Sequence, residues 1–546
     1  MARKPLSNVD TAWLRMEDPT NLMMISGVMI FGTPMDLSRL KATIEHRLLR
    51  FDRFRQHVIA PRLPIGGYRW QDDTGFDLNQ HVHLITLPPP GDQATLQAVV
   101  SELMSTPLDL SKPLWEIHLV ERYGDGCALI ARLHHCIADG IALVRVLLSL
   151  TDPDPDAPWP APPPGDETRR DDHPLDALFR PARSTLRTTA RVTEALLQES
   201  QDVLDDPSHL LDLARLGASG VTALGRLVLR WPDPKTIFKG ELGVPKRAAW
   251  STPLPLAEVK NVGRAVGGTV NDVLLTAVSG ALRRYLQGRG EEVDGVDVRA
   301  VVPVNLRPPE EKITLGNKFG LVFLSLPVGI GDPIDRLFEL KRRMDALKDT
   351  PEAVVAFGIL NAIGMSPSRI QDVVVNIFGT KGTAVMTNVP GPRQTIYLAG
   401  APLETIMFWV PQSGHLGIGV SILSYAGKVW LGVATDQGLV PDPETIIDEF
   451  QAEFQQLREL TKELESTGTP AKPAIPADSI AAMTASLDEA LQKVTALLEE
   501  REGGPDETTQ EQVEHCQALT KAGQPCKNRP LPGSDYCRVH HQAAVN

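Results

Sequence analysis

At 546 residues and 42% apolar composition, the chain is long enough for two or three globular domains with real cores. Its formal net charge of −13 argues against bulk nucleic-acid binding. No run approaches the roughly twenty apolar residues of a membrane span, and the opening MARKPLSNVDTAW lacks the apolar core of a signal peptide, so a protein of the cytoplasm, or one attached to a membrane from the cytoplasmic side, is expected.

Residues 1–150 mix helical and strand patterns and form a first α/β half. Near its end CALIARLHH, residues 127–135, reads as a strand of small and apolar side chains. Alternation puts Cys127, Leu129, Ala131, Leu133 and His135 on one face, and Ala128, Ile130, Arg132 and His134 on the other. IALVRVLLSL then has helical spacing, which places Asp139 and Gly140 in the strand-to-helix turn. Imidazole suits proton transfer near neutral pH, and a nearby carboxylate is the usual orienting device. From local chemistry three readings stand: a general base, a satisfied structural histidine, or a metal ligand. Adjacent strand residues point apart, which disfavours the metal.

Residues 151–247 are expected to be linker and interdomain helices. TDPDPDAPWPAPPPGDETRRDD is too rich in proline and charge to pack. LLDLARLGASGVTALGRLVLRW sets arginines on an apolar background, a pattern that suits a membrane surface or a helix packed between domains. Residues 248–463 form a second mixed half. VNDVLLTAVSGALRRYL is its strongest helix, with Asn271 expected as N-cap. VDVRAVVPVNLR, GLVFLSLPVGI, TAVMTNVPGP and LGIGVSILSYAGKVWLGVATD read as strands, and PETIIDEFQAEFQQLREL as the last helix. Lys246 and Arg247 form a basic pair that could meet phosphates. Residues 464–510 hold a linker and a stripe (Ile480, Met483, Leu487, Ala490, Val494, Leu497) too short for a coiled coil.

Residues 511–546 are expected to be a small zinc module. Cys516, Cys526, Cys537 and His540 are separated by nine, ten and two residues, and three thiolates with one imidazole match tetrahedral zinc. So short a segment cannot build a core without such a staple. It resembles the Cys-Cys-Cys-His modules at the ends of bacterial proteins.

Several motifs, in order from residue 5 to about 460, carry a wider resemblance: PLSNVDTAWLRMEDPTNLM, PLWEIHLVE from Pro113, HHCIADG from His134, GGTVNDVLLTAVSGALRRYL, VPVNLR from Val302, GNKFG from Gly316 and TNVPGP from Thr387. The chain resembles the bacterial wax ester synthase/diacylglycerol acyltransferase family, of the chloramphenicol acetyltransferase-like, CoA-dependent superfamily. The resemblance implies two related α/β halves with mixed sheets and a tunnel between them. It implies transfer of a fatty acyl group from acyl-CoA to diacylglycerol or to a long-chain alcohol, at a membrane or lipid-inclusion surface and without a catalytic cofactor. His135 inherits the role of base, with His134 supporting it. Asp139 inherits a structural salt bridge, for which Arg307 is the expected partner, beside Gly140. Pro113, Leu114, Trp115, Asn271 and Asp272 inherit structural support of the site. HHxxxDG is shared with peptide-synthetase condensation domains, so an amine or another alcohol remains an alternative acceptor. A base needs no protein nucleophile here, because a thioester is already activated, and Cys136 is rejected as an acyl carrier.

Overall fold

In the computed structural model the described residues are 4–61, 67–157, 232–307, 315–348, 352–365, 379–412, 414 and 416–467. Contacts divide the chain into units 1–472 and 473–546, and every described residue lies in the first. Two mixed seven-stranded sheets dominate. The first runs, in spatial order, Val82–Ile85, Trp115–Tyr123, Gly126–His134, Met24–Phe31, Ala401–Trp409, Tyr397–Leu398 and Thr151–Asp152. The second runs Leu254–Pro255, Lys428–Asp436, Ile418–Tyr425, Ala384–Pro390, Val298–Asn305 and Phe319–Leu326, with Lys246–Trp250 also pairing on Lys428–Asp436. A small sheet of Lys4–Pro5, Arg69–Asp72 and Gln56–Ile59 stands beside them.

The four predicted strand segments of the second half all lie in the second sheet. The strand Gly126–His134 is buried at nearly every position, because both its faces are covered, and so its sequence is apolar from Cys127 to Ala131 on both faces. The helix Gly140–Leu150 packs back beneath it. In the second half the helix Val270–Gly288 packs on the helix Pro443–Thr467. Buried Glu453 joins them, receiving Arg284 at 2.5 Å and Arg336 at 3.1 Å.

Two expectations are corrected. The second half does not keep its own strands: Ala401–Trp409 crosses to the first sheet and pairs antiparallel along Met24–Phe31, from Leu403 opposite Phe31 to Trp409 opposite Ser26. The boundary placed at residue 248 therefore divides the sequence but not the sheets. The helix at Val270 is capped by Thr269, not Asn271. Thr269 Oγ1 accepts the Asp272 N–H at 3.2 Å while Asp272 Oδ2 accepts the Thr269 N–H at 2.7 Å, a reciprocal capping box.

Among the described residues no single helix is long and apolar enough to cross a membrane. The bent pair Leu256–Ala265 and Val270–Gly288 passes on composition, but the longer member is a core helix. The arginine-bearing segment 210–231, the heptad stripe and Cys516, Cys526, Cys537 and His540 lie outside the described residues.

Candidate active site

The strand Gly126–His134 delivers the two histidines to a turn that three backbone hydrogen bonds fix. His134 N–H donates to the Leu114 carbonyl at 3.0 Å, His135 N–H to the Met23 carbonyl at 2.7 Å, and Ile137 N–H to the His134 carbonyl at 3.0 Å. The last of these marks the end of the strand. His135 is the first residue beyond the strand, and its N–H bond to Met23 extends the pairing with Met24–Phe31 by one more residue. Its ring stacks on Trp13, with centroids 4.2 Å apart and planes inclined by 24°.

The histidines differ in environment. His134 Nδ1 accepts the Cys136 N–H at 3.1 Å, so the ring proton sits on Nε2, which faces Glu17 Oε2 at 3.4 Å. His135 is only 4% exposed, and its Nδ1 has no hydrogen-bond partner among the described residues. Burial disfavours its cation more than nearby Asp139 favours it, and its pKa is pushed down to about 4. At neutral pH it is an uncharged imidazole, the form a general base needs.

Two ion pairs, each with a buried carboxylate, clamp the turn. On one side Asp139 caps the helix Gly140–Leu150, Oδ1 accepting the Ala142 N–H at 2.9 Å. Its Oδ2 accepts Arg307 Nε at 3.2 Å, Arg307 Nη2 at 2.8 Å and the Lys318 N–H at 2.9 Å. Arg307 Nη2 also donates to the Gly316 carbonyl. The structure thus brings together the two residues that the sequence reading had paired across 168 positions. On the other side Asp10, fully buried, meets Arg53 at 2.9 Å. Arg53 Nη1 donates to the carbonyls of Cys136 at 3.1 Å and Ile137 at 2.6 Å. Asn317 Nδ2 closes the ring, donating to Asp10 Oδ1 at 2.7 Å and to the His135 carbonyl at 2.9 Å. The turn therefore sits where first-half and second-half residues meet.

The remaining expected residues fall into place around this centre. Leu114 supplies the carbonyl that holds His134. Trp115 is buried, stacks on His81 at 4.6 Å and donates from Nε1 to the Phe54 carbonyl at 2.9 Å. Pro113, also buried, precedes them. Asp272 serves the capping box, and Asn271 Oδ1 accepts Asn388 Nδ2 at 2.7 Å, which ties that helix to TNVPGP. Lys246 and Arg247 are not a free basic pair. Lys246 is held by buried Asp436 at 2.6 Å and Arg247 by Glu444 at 3.0 Å. Cys136 is fully buried.

Behind the turn, between the first sheet and the helix Gly140–Leu150, lies an apolar cavity of about 130 Å³. Leu129, Ala131 and Leu133 line it from the strand, and Trp115, Gly140 and Leu143 lie among its other walls. A Cβ built on Gly140 would touch nothing within 4 Å, so the missing side chain leaves space in that wall. Among the described residues no cluster of three or more potential metal ligands occurs.

Trp13, Asp10, Glu17, Arg53 and Asn317 were not singled out from the sequence. A signal was present for four of them: Asp10, Trp13 and Glu17 lie in the first shared motif and Asn317 in GNKFG. Arg53 lies in none of them.

The fold recurs in solved structures. The first condensation domain of the calcium-dependent antibiotic synthetase superposes with a TM-score of 0.53 at 15% identity, covering 86% of this chain and 97% of that one. The wax ester synthase/diacylglycerol acyltransferase from Marinobacter aquaeolei gives 0.60 at 21% identity, covering 84% and 100%. These likenesses define the fold class, that of the acyltransferases and condensation domains. Sequence narrows it. The wax ester synthase/diacylglycerol acyltransferase catalytic domain matches residues 6–274, and the corresponding C-terminal domain matches 315–458. A Mycobacterium tuberculosis protein named "Probable diacylglycerol O-acyltransferase" is 26% identical over 452 residues, 80% of this chain and 92% of that one. The chain belongs to the wax ester synthase/diacylglycerol acyltransferase family and is an O-acyltransferase.

Proposed function

We propose that the protein moves a fatty acyl group from acyl-CoA to diacylglycerol, giving triacylglycerol, or to a long-chain alcohol, giving a wax ester, with His135 as general base. The observation that carries this reading is a neutral, buried imidazole on a turn whose flanking residues, Leu133 and Gly140, line an apolar cavity. The cavity suits an acyl chain, and the junction of the two halves around the turn supports a tunnel there.

The imidazole takes the proton of the acceptor hydroxyl as its oxygen attacks the thioester carbon. A C–O bond forms, the C–S bond breaks, and the proton passes to the departing CoA thiolate. General-base help of this kind is worth roughly 10²–10⁴-fold. Asp139 and Arg307 hold the turn, and His134 supports it through Glu17 and Cys136. The step uses no cofactor. A water-insoluble acceptor places the enzyme at the cytoplasmic face of a membrane or on lipid inclusions. Cys516, Cys526, Cys537 and His540 are proposed to hold one zinc ion away from this chemistry.

The test is purified protein with palmitoyl-CoA and hexadecanol, dioleoylglycerol or an amine. Ester formation that disappears in His135→Ala and persists in part in folded His134→Ala is expected. Acylation of the amine alone would replace this reading with a condensation-type one. Equal and complete loss in both folded variants would remove the single-base assignment.

A further inference from the structure

We propose that Trp13 is a positioning residue for the reaction, its indole face fixing the His135 imidazole in place and keeping water from it. The proposal rests on His135 being the base. Trp13 comes from the first helix, Asn8–Arg15, and is 4% exposed. It packs with Val9, Met23, Phe319 and Leu360 into a small apolar cluster at the turn. Its ring lies 4.2 Å from that of His135, and Phe319 backs both rings, 5.8 Å from Trp13 and 5.6 Å from His135. Met23, from the same cluster, accepts the His135 N–H. One N-terminal segment thus holds the base by its backbone and by its ring face. Trp13 Nε1 has no hydrogen-bond partner among the described residues, so the indole works through its face, and phenylalanine can replace it.

The charged and titratable groups around His135 are Asp139, neighbouring His134, and Asp10 from the same helix as Trp13. Asp139 is paired with Arg307, Asp10 with Arg53 behind Asn317, and Glu17 faces His134. All remain when the indole is removed, so any change in the titration of His135 then reports water reaching the ring rather than a lost charge. Burial is what holds that pKa low.

The experiment follows ¹³C-labelled histidine by NMR across pH 3.5–8 in the wild-type, Trp13→Leu and Trp13→Phe proteins, with His135 assigned by its absence in His135→Ala. In Trp13→Leu the His135 titration and the acid limb of kcat should move up together by about one pH unit or more. At the plateau kcat should fall about tenfold while KM for acyl-CoA stays within about twofold, and Trp13→Phe should recover most of both effects. Should Trp13→Leu fail to fold, Trp13→Met fills similar space without a ring face and takes its place. An unchanged titration and plateau kcat in a folded variant would overturn the role given to Trp13 while leaving the base in place. Full activity in His135→Ala would instead remove the base assignment itself.

Discussion

Replacing Asp139 with asparagine is the sharpest test of how the turn is held. The carboxylate accepts four hydrogen bonds, one as helix cap and three through Oδ2 from Arg307 and Lys318. Asparagine can keep the bond to the Ala142 N–H, since it caps helices as well as aspartate does. It cannot keep the charge opposite Arg307, which is 6% exposed. Removing one member of a buried pair costs about 3–5 kcal/mol, and Arg307 retains the Gly316 carbonyl, so about 3 kcal/mol is expected for Asp139→Asn. Asp139→Ala loses the cap as well and should cost about 4 kcal/mol. The double variant Asp139→Asn/Arg307→Met removes both charges and should regain at least half of the asparagine loss. Urea unfolding followed by circular dichroism measures stability, and ester formation measures the site. A loss below about 1 kcal/mol in Asp139→Asn, or a double variant no more stable than it, would refute the reasoning, because the pair would then be no more than a surface contact in its energetics.

Four further outcomes are expected. The acid limb of kcat/KM in the wild type should fall near pH 4 instead of near 6.5, because the base must be uncharged; a limb near 6.5 would show that the imidazole is hydrated. In the same window the unfolded chain binds the proton that folded His135 refuses, so stability is full above about 6.5 and falls on acidification toward 4, by on the order of 3 kcal/mol, and His135→Ala should flatten that slope in urea titrations against pH. Ala131→Phe places a ring in the apolar cavity and should shift preference from palmitoyl-CoA to shorter acyl-CoA by about tenfold, read as the ratio of kcat/KM values; an unchanged ratio would separate the cavity from the acyl chain. Elemental analysis of protein purified under reducing, chelator-free conditions should find about one zinc per chain, and a chain ending near residue 465 should lose the metal but keep ester formation.

Local features of the fold were legible because they are written in neighbouring residues. The HH turn, the helix after it and the four strand segments of the second half follow from apolar runs and their breaks. The N-cap at Asn271 was misplaced by two residues because Thr269 and Asn271 are both good caps, and only the reciprocal bond with Asp272 decides between them. The crossing strand Ala401–Trp409 was missed since Pro402 and Glu404 interrupt its apolar run. Asp10 and Arg53 are 43 positions apart, and no local pattern reveals that the two meet beneath the same turn. The pairing of Asp139 with Arg307 came from family resemblance, not from spacing.

The crossing strand also bears on how the protein is made. Met24–Phe31 leaves the ribosome early, yet its partner Ala401–Trp409 is translated only after most of the chain. At synthesis rates of about 5–20 residues per second, that edge waits on the order of 20–80 s for its neighbour. During this interval MISGVMIF presents open backbone donors and acceptors on an apolar strand, a template for pairing with other chains. Overexpression that outruns chaperone capacity should therefore fail first as aggregation of nascent chains, and a second-half fragment beginning near residue 248 and supplied in trans carries the strand that would cap the edge.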